Sequence, residues 1–185
     1  MLILLAIACH DTDTHTDIGA PLSLPASAWM DLSGSSYTWG YSDGDRSLTG
    51  TADPVVGGVA ETVYRVDGVE AFTVTWSQGE AGLQVLGWSD AGGAVVLDEG
   101  LPIIPTGGRL GEAWGAEGVI VELRAETVCS TPGGADLDCL EVAITDRGGV
   151  GFPLAGVVHF AQDVGPLDVE LDGVWWWFES LLWVP

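Results

Sequence analysis

The sequence contains no lysine, and its basic side chains are five arginines and three histidines, set against 27 aspartate and glutamate residues. The formal net charge is therefore -22 over 185 residues. Because such a chain repels polyanions, the composition excludes a basic surface for nucleic acid or for anionic lipid headgroups. It favours cations, basic proteins or neutral ligands such as glycans as partners, although the same charge also serves to keep a strand-rich protein soluble.

Long apolar runs are also missing. The run at the N-terminus, residues 2–8, is far too short for a membrane-spanning helix, which needs about 20 apolar residues. It fits the apolar region of a secretory signal peptide, which takes about 7 to 15 residues. We therefore expect residues 1–8 to be a signal peptide that is removed. The alternative is that residues 2–8 form a first β-strand and that Cys9 is a buried thiol.

The sequence LAIAC, from Leu5 to Cys9, places apolar and small side chains directly before a cysteine. It resembles the lipobox of bacterial lipoproteins. This resemblance implies that Cys9 becomes the N-terminus and carries acyl chains on its thiol and its amine. Two or three chains anchor a protein stably, whereas one holds it only marginally. The resemblance further implies a bacterial cell-envelope location as an outer-membrane lipoprotein, periplasmic or surface-facing, with the membrane as a partner.

The segment that follows Cys9, HDTDTHTD, contains no apolar residue. Because it has nothing to bury, we expect residues 9–25 to be a flexible acidic tether. Oxygen ligands at alternate positions raise the alternative of a calcium loop. However, Thr16 and Leu22 stand where that loop needs glycine and glutamate. No metal and no other cofactor is therefore predicted.

After Pro25, apolar and polar side chains alternate with a period of two almost throughout. In AFTVTWSQ, for example, Phe72, Val74 and Trp76 share one face. Turn sequences rich in glycine and aspartate, such as SDGD and DAGG, separate such segments as in consecutive hairpins. We therefore predict that residues 26–185 form one all-β domain, a single strongly curved antiparallel meander sheet or half-open barrel. Little helix is expected beyond a short one near residues 25–32, capped by Ser27.

Cys129 and Cys139 remain as a pair once Cys9 is assigned to lipidation, and an exported chain normally joins such a pair. Between them, PGG at residues 132–134 predicts a hairpin turn. Odd-numbered residues face inward before this turn and even-numbered ones after it, so the two thiols would point to opposite faces of ideal strands. The predicted disulfide therefore requires a bulge or an irregular strand end, and free thiols are the alternative.

Motifs for catalysis are scarce. The sequence GWSDA at residues 87–91 lacks the last glycine of a nucleophile elbow and the strand-to-helix context that the elbow needs. His159 is the only histidine beyond the tether, and within VVHFAQ it has the pattern of an ordinary strand residue. We therefore predict no catalytic residue and no enzymatic activity. A pair of carboxylates of the glycosidase type stays open among the 27 acidic residues.

Tryptophan is abundant, with nine residues, of which Trp175, Trp176 and Trp177 are consecutive. Because consecutive strand residues point to opposite faces, one side of this triplet can fill a core while the other meets a ligand, a partner or a further layer. Aromatic rings stack on sugars and line apolar cavities, although core filling is the alternative. The candidate ligand-binding residues are Tyr37, Trp39, Tyr41, Trp176 and Phe178.

The order of YRVDG, GLQVLGW, LPIIPTGGRLGEAW and HFAQDVGPLDVE over residues 59–182 resembles a class of uncharacterised exported bacterial proteins with one large curved antiparallel sheet. This resemblance implies a fold and an envelope location, and it transfers no catalytic residue. We expect a lipid-anchored, non-catalytic envelope module for binding or assembly. Two alternatives are a carrier or chaperone that shelters an apolar ligand in a concave sheet, and a hydrolase that acts on envelope glycans or esters.

Overall fold

The computed structural model describes residues 19–30, 36–53, 56 and 58–184. The predicted signal peptide, Cys9 and most of the predicted tether lie outside these residues. Within these residues the chain forms one short helix and twelve strands. They are α1 (Ala26–Trp29), β1 (Ser36–Ser42), β2 (Ser47–Ala52), β3 (Val59–Val66), β4 (Val69–Gly79), β5 (Gly82–Asp90), β6 (Gly93–Pro105), β7 (Ala113–Ala116), β8 (Val119–Ser130), β9 (Asp136–Asp146), β10 (Gly156–Ala161), β11 (Gly165–Leu171) and β12 (Val174–Val184). No helix within the described ranges is long and apolar enough to cross a membrane.

All twelve strands belong to one antiparallel sheet that curves almost into a closed barrel. The order across the sheet is β6-β5-β4-β3-β2-β1-β12-β11-β10-β9-β8-β7. Strands that follow each other in the chain are therefore neighbours in the sheet, and the pairing of β1 with β12 joins the two halves. This arrangement confirms the predicted all-β meander or half-open barrel with little helix.

A seam separates the two edge strands, β6 and β7, which approach each other but form no ladder among the described residues. Across this seam, the indole Nε1 of Trp114 donates a hydrogen bond to the carbonyl of Pro102. The start of the described chain also pairs with the loop between β6 and β7. Gly19 N donates to Leu110 O at 2.7 Å, and Leu110 N donates to Ala20 O at 2.9 Å. The seam is thus bridged by one side chain and flanked by a short extended segment.

Helix α1 is a single turn at one end of the barrel. It lies within the predicted range, but Ser27 is inside the helix and Pro25 occupies the N-cap position, without a side-chain capping bond. The carbonyl of Ala28 accepts a hydrogen bond from Asp163 N, in the turn between β10 and β11, at 2.8 Å. The helix also contacts β5. Helix α1 therefore packs at the end where the β4–β5 and β10–β11 turns lie.

The inner face of the sheet supplies one continuous hydrophobic core. Strand β4 illustrates why, because Phe72, Val74 and Trp76 are buried while Thr73 and Thr75 between them are not. Burying one large apolar side chain contributes about 1.5–3 kcal/mol. The largest fully buried side chains include Trp29, Trp39, Trp76, Tyr41, Tyr64 and Phe160. Much of the aromatic content is therefore structural.

The disulfide between Cys129 and Cys139 is present, with 5.9 Å between the two Cα atoms. In the first part of the β8–β9 ladder, Leu123 lies opposite Val142, so an odd residue faces an even one. A bulge between Leu123 and Ala125 then shifts the register, and Cys129 lies opposite Leu137. Odd residues now face odd residues, which puts both thiols on the same side of the sheet. The predicted disulfide is confirmed, and of the two irregularities that could allow it, a bulge or an irregular strand end, the structure has a bulge.

Candidate functional site

A strip of charged and aromatic side chains crosses the outer face of the sheet from β8 to β12. We call it the outer strip, and its members are Arg124, Glu141, His159, Asp168, Trp175 and Trp177. Strand pairing sets Glu141 of β9 opposite His159 of β10, and His159 opposite Asp168 of β11. Arg124 is the extra residue of the β8 bulge, which brings its side chain to Glu141.

The local sequence explains why these polar side chains face outward. Each of the three central strands carries one polar residue between two buried ones, as LEV at 140–142, VHF at 158–160 and LDV at 167–169. Because alternate side chains of a strand point to opposite faces, the flanking apolar residues turn to the core and the polar residue turns to the outside. Leu167 is the exception, since it is the extra residue of a bulge in β11 and packs in a second cluster with Cys139 and Ala161. This repeated pattern is a sequence signal for each outward polar residue, but it does not show that the three lie side by side.

His159 lies between two carboxylates. Its Nε2 is 3.7 Å from Glu141 Oε2, and its Nδ1 is 3.9 Å from Asp168 Oδ2. Only 14% of the His159 side chain and 13% of the Asp168 side chain are exposed. Burial alone would lower the pKa of His159, but the two carboxylates outweigh burial and raise this pKa from 6.5 to about 9. His159 is therefore a cation near neutral pH.

The charges of the outer strip alternate in sign. Arg124 Nη1 is 3.4 Å from Glu141 Oε1, and Arg124 Nε is 3.4 Å from Glu122 Oε2. His159 lowers the pKa of Glu141 more than partial burial raises it, and Arg124 lowers it further. Glu141 thus stays ionised at neutral pH, with one cation on each side.

The aromatic end of the outer strip is formed by two residues of β12. The rings of Trp175 and Trp177 are stacked, with their centroids 5.4 Å apart and their planes 14° apart. Trp175 also stacks on the imidazole of His159, at 5.7 Å and 29°. Trp177 is 46% exposed. The stack therefore runs from a shielded cation to an indole that meets solvent.

The structure reverses the expected faces of this strand. Trp176, which we expected on the presented side, faces the core and is only 3% exposed. Phe178 packs edge-on against Tyr41, with centroids 6.4 Å apart. The residues on either side of Trp176, which the sequence pattern did not single out as ligand-binding, are the ones at the surface.

The aromatic residues of β1 also lie inside the barrel. Trp39 and Tyr41 are almost completely buried. Trp39 Nε1 donates a hydrogen bond to Val164 O at 2.7 Å, and Tyr41 Oη donates one to Pro166 O at 2.8 Å. Tyr37 is partly buried and stacks on Trp39 at 5.7 Å. Core filling describes these three residues, and a ligand would reach Trp39 or Tyr41 only if the barrel opened.

Metal and general-base chemistry find little support at the outer strip. The part of the chain that the structure describes contains no group of three or more His, Cys, Asp or Glu side chains placed to hold a metal ion. A histidine whose pKa is about 9 is a weak candidate for a general base near neutral pH. Ser89 of the GWSDA sequence lies within β5, opposite Thr73 and Ala94, and so outside any strand-to-helix turn.

The chain matches no protein-family model, no curated protein and no solved structure. The interpretation of the outer strip therefore rests on its own geometry.

Proposed function

We propose that this protein is a non-catalytic binding module of the bacterial cell envelope, anchored by acyl chains on Cys9, and that the outer strip binds a neutral glycan. The observation that carries this proposal is the half-exposed indole of Trp177, stacked on Trp175 at the end of a row of side chains whose charges alternate in sign. The anchor is supported by the lipobox-like sequence before Cys9 and by the acidic, apolar-poor segment after it.

The chemistry of the outer strip fits a sugar ring. The C–H faces of sugars pack against indoles, and their hydroxyl groups donate hydrogen bonds to carboxylates, which are strong acceptors. Trp177 supplies the aromatic surface, and Glu141, whose side chain is 28% exposed, is a partly accessible carboxylate of the outer strip. Because the whole chain carries a formal charge of -22, an anionic glycan is disfavoured and a neutral or amino-substituted one is favoured.

Binding is favoured over hydrolysis by the state of His159. Its neighbours in the outer strip are two carboxylates and an indole, and its raised pKa leaves it protonated near neutrality. A nucleophile activated by this histidine would need the neutral imidazole as its base.

The carrier alternative is less well supported. A carrier needs an apolar space along the concave face of its sheet, and here a continuous cluster of buried side chains that includes Trp29, Trp39 and Trp76 fills the inner face except for a cleft at one end.

Glycan binding is tested with the Cys9→Ser chain and two neutral glycans, insoluble chitin in a sedimentation assay and an N-acetylglucosamine tetramer in calorimetry. Replacing Trp177 by Ala should weaken binding about tenfold, since losing the stacking contact of one ring costs of the order of 1 kcal/mol or more. The matched control is Leu182→Ala, which removes another exposed apolar side chain from the same strand and should change nothing. Equal affinities of the two variants, or no binding by the parent chain, would contradict the proposal.

The anchor is tested separately. We expect mass spectrometry of the full chain purified from bacterial membranes to find acyl chains at Cys9 and to find residues 1–8 removed, and we expect the Cys9→Ser chain to leave the membrane fraction. A chain recovered with residues 1–8 in place and without acyl groups would overturn the envelope part of the proposal and leave the glycan test unaffected.

A further inference from the structure

A second surface lies at the end of the barrel opposite α1. There the turns that follow β1, β3, β5, β9 and β11 surround a cleft of about 540 Å³, which we call the end cleft. Its volume is within the range of sites that hold small molecules, about 300–1,000 Å³. The lining residues that matter for its chemistry are Arg46, Phe72, Asp146, Phe152, Asp172 and Trp176.

The walls of the end cleft are aromatic and held in place by further aromatic contacts. Phe72 stacks on Tyr64 with centroids 4.6 Å apart, and Phe152 packs edge-on against Trp88 at 4.9 Å. Trp176, the third ring, belongs to the hydrophobic core. Because these rings are fixed from behind, the end cleft offers a preformed apolar surface, and a ligand would lose little affinity to side-chain ordering.

The charges around the end cleft are mostly negative. Asp90, Asp146 and Asp172 line it, and Arg46 is the one basic side chain in its lining. The guanidinium of Arg46 is already paired with Asp43, at 2.7 Å between Nη2 and Oδ2. The end cleft and the adjoining Asp43 thus carry four carboxylates and one guanidinium, a formal excess of three negative charges.

The carboxylate of Asp146 is set in position by the loop that forms one wall. It accepts hydrogen bonds from the backbone N–H groups of Val150, Gly151 and Phe152, at 3.1, 2.8 and 3.1 Å. Burial would raise the pKa of Asp146, but these N–H groups together lower it. The negative charge beside the aromatic wall is therefore permanent at neutral pH.

One contact indicates which kind of group this surface accepts. The guanidinium carbon of Arg46 lies 5.0 Å from the centroid of the Trp176 ring. Cations within about 6 Å of an indole face are attracted to it, and an indole binds them better than a tyrosine or phenylalanine ring does. The Arg46 side chain is 47% exposed, so it occupies the solvent side of a ring whose other contacts are in the core.

We propose that the end cleft binds a small organic ammonium ion with an apolar body. The body packs against Phe72, Phe152 and Trp176, and the ammonium group lies among the carboxylates, near Asp172 and Asp146. In this arrangement Arg46 competes with the ligand, because its guanidinium holds the Trp176 face and repels a second cation. This site is independent of the outer strip and of the glycan proposal.

Calorimetry at low ionic strength with the soluble Cys9→Ser chain tests this proposal, using benzyltrimethylammonium as the cation, with benzyl alcohol and benzenesulfonate as its neutral and anionic counterparts. The ammonium should bind at least fivefold more tightly than the alcohol, and the sulfonate should not bind. Arg46→Gln should strengthen ammonium binding about fivefold, since it removes the competing cation. Asp172→Asn should weaken it about threefold; asparagine tolerates the left-handed backbone at this turn position, where φ is 52°.

The control variant is Arg124→Gln, which makes the same change in net charge on the outer strip and should leave ammonium binding unchanged. Equal gains from Arg46→Gln and Arg124→Gln would mean nonspecific attraction to an acidic protein and would overturn the proposal. It would also be overturned if the alcohol bound as well as the ammonium, if Arg46→Gln weakened binding, or if the parent chain bound none of the three probes.

Discussion

His159 should make the stability of this protein depend on pH in the alkaline range. Two carboxylates raise the pKa of its folded form to about 9, against 6.5 for an ordinary histidine. The folded state therefore holds the proton more tightly than the unfolded state. Below about pH 6.5 both states are protonated and the stabilisation is complete, and it is lost as the pH rises through about 9. A shift of this size corresponds to about 3 kcal/mol in the free energy of unfolding.

The pH dependence of stability can be assigned to His159, because few other groups titrate between pH 6 and 9.5. The sequence contains no lysine, burial raises the pKa of Tyr41 and of Tyr64, and both cysteines of the barrel are bonded. Urea unfolding of the soluble Cys9→Ser chain between pH 6 and 9.5 should give a steadily falling free energy. The His159→Gln variant should be less stable at pH 6 and nearly independent of pH.

The pKa itself can be read by NMR in a chain whose other two histidines, His10 and His15, are replaced by glutamine, so that a single imidazole remains. We expect a titration midpoint near 9, and a lower midpoint in Glu141→Gln, which removes one of the two carboxylates. A midpoint at or below 6.5 would refute the reasoning, because burial would then outweigh the carboxylates. So would a free energy of unfolding that stays constant from pH 6 to 9.5.

Two further predictions concern the covalent and steric limits of the fold. Replacing Cys129 and Cys139 together by alanine should lower the free energy of unfolding in urea by about 2–3 kcal/mol, since the disulfide closes a loop with a sequence separation of 10. A reductant should abolish the difference between the parent chain and the variant. Gly165→Ala should destabilise the barrel more than Gly44→Ala in thermal unfolding. Both glycines have a left-handed φ, of +90° and +99°, but a Cβ at Gly165 would lie 3.1 Å from Trp39 and one at Gly44 would meet nothing within 4 Å. Equal losses would show that backbone strain alone accounts for the cost.

The strands and the bulge were predictable because they depend on local patterns. Alternation over residues 72–76 identifies a strand with one buried face, and the structure has that face inward. The conflict between the inward positions before and after the PGG turn predicted an irregularity, and the bulge beside Arg124 is that irregularity. In both cases, the alternation of apolar and polar residues and the turn sequence are enough to predict the feature.

The outer strip was not predicted, for two physical reasons. First, it depends on the register between strands, such as His159 opposite both Glu141 and Asp168, which no single segment encodes. Second, residues 174–178 are apolar at every position, so the alternation that normally separates the two faces is missing and does not indicate which ring turns inward. The pairing of β1 with β12 could not be predicted either, for the first of these reasons, since it joins distant parts of the chain.

The seam between β6 and β7 also determines how the barrel would respond to a pulling force. A pull that reaches Gly19 acts on a residue that is tied to Leu110 and to the guanidinium of Arg109 by hydrogen bonds of 2.7 Å each. These hydrogen bonds would break one after another, because no long ladder of backbone hydrogen bonds distributes the force among them. If the proposed acyl anchor at Cys9 transmits tension to Gly19, that tension acts beside the seam, where the barrel wall is joined by the fewest backbone bonds.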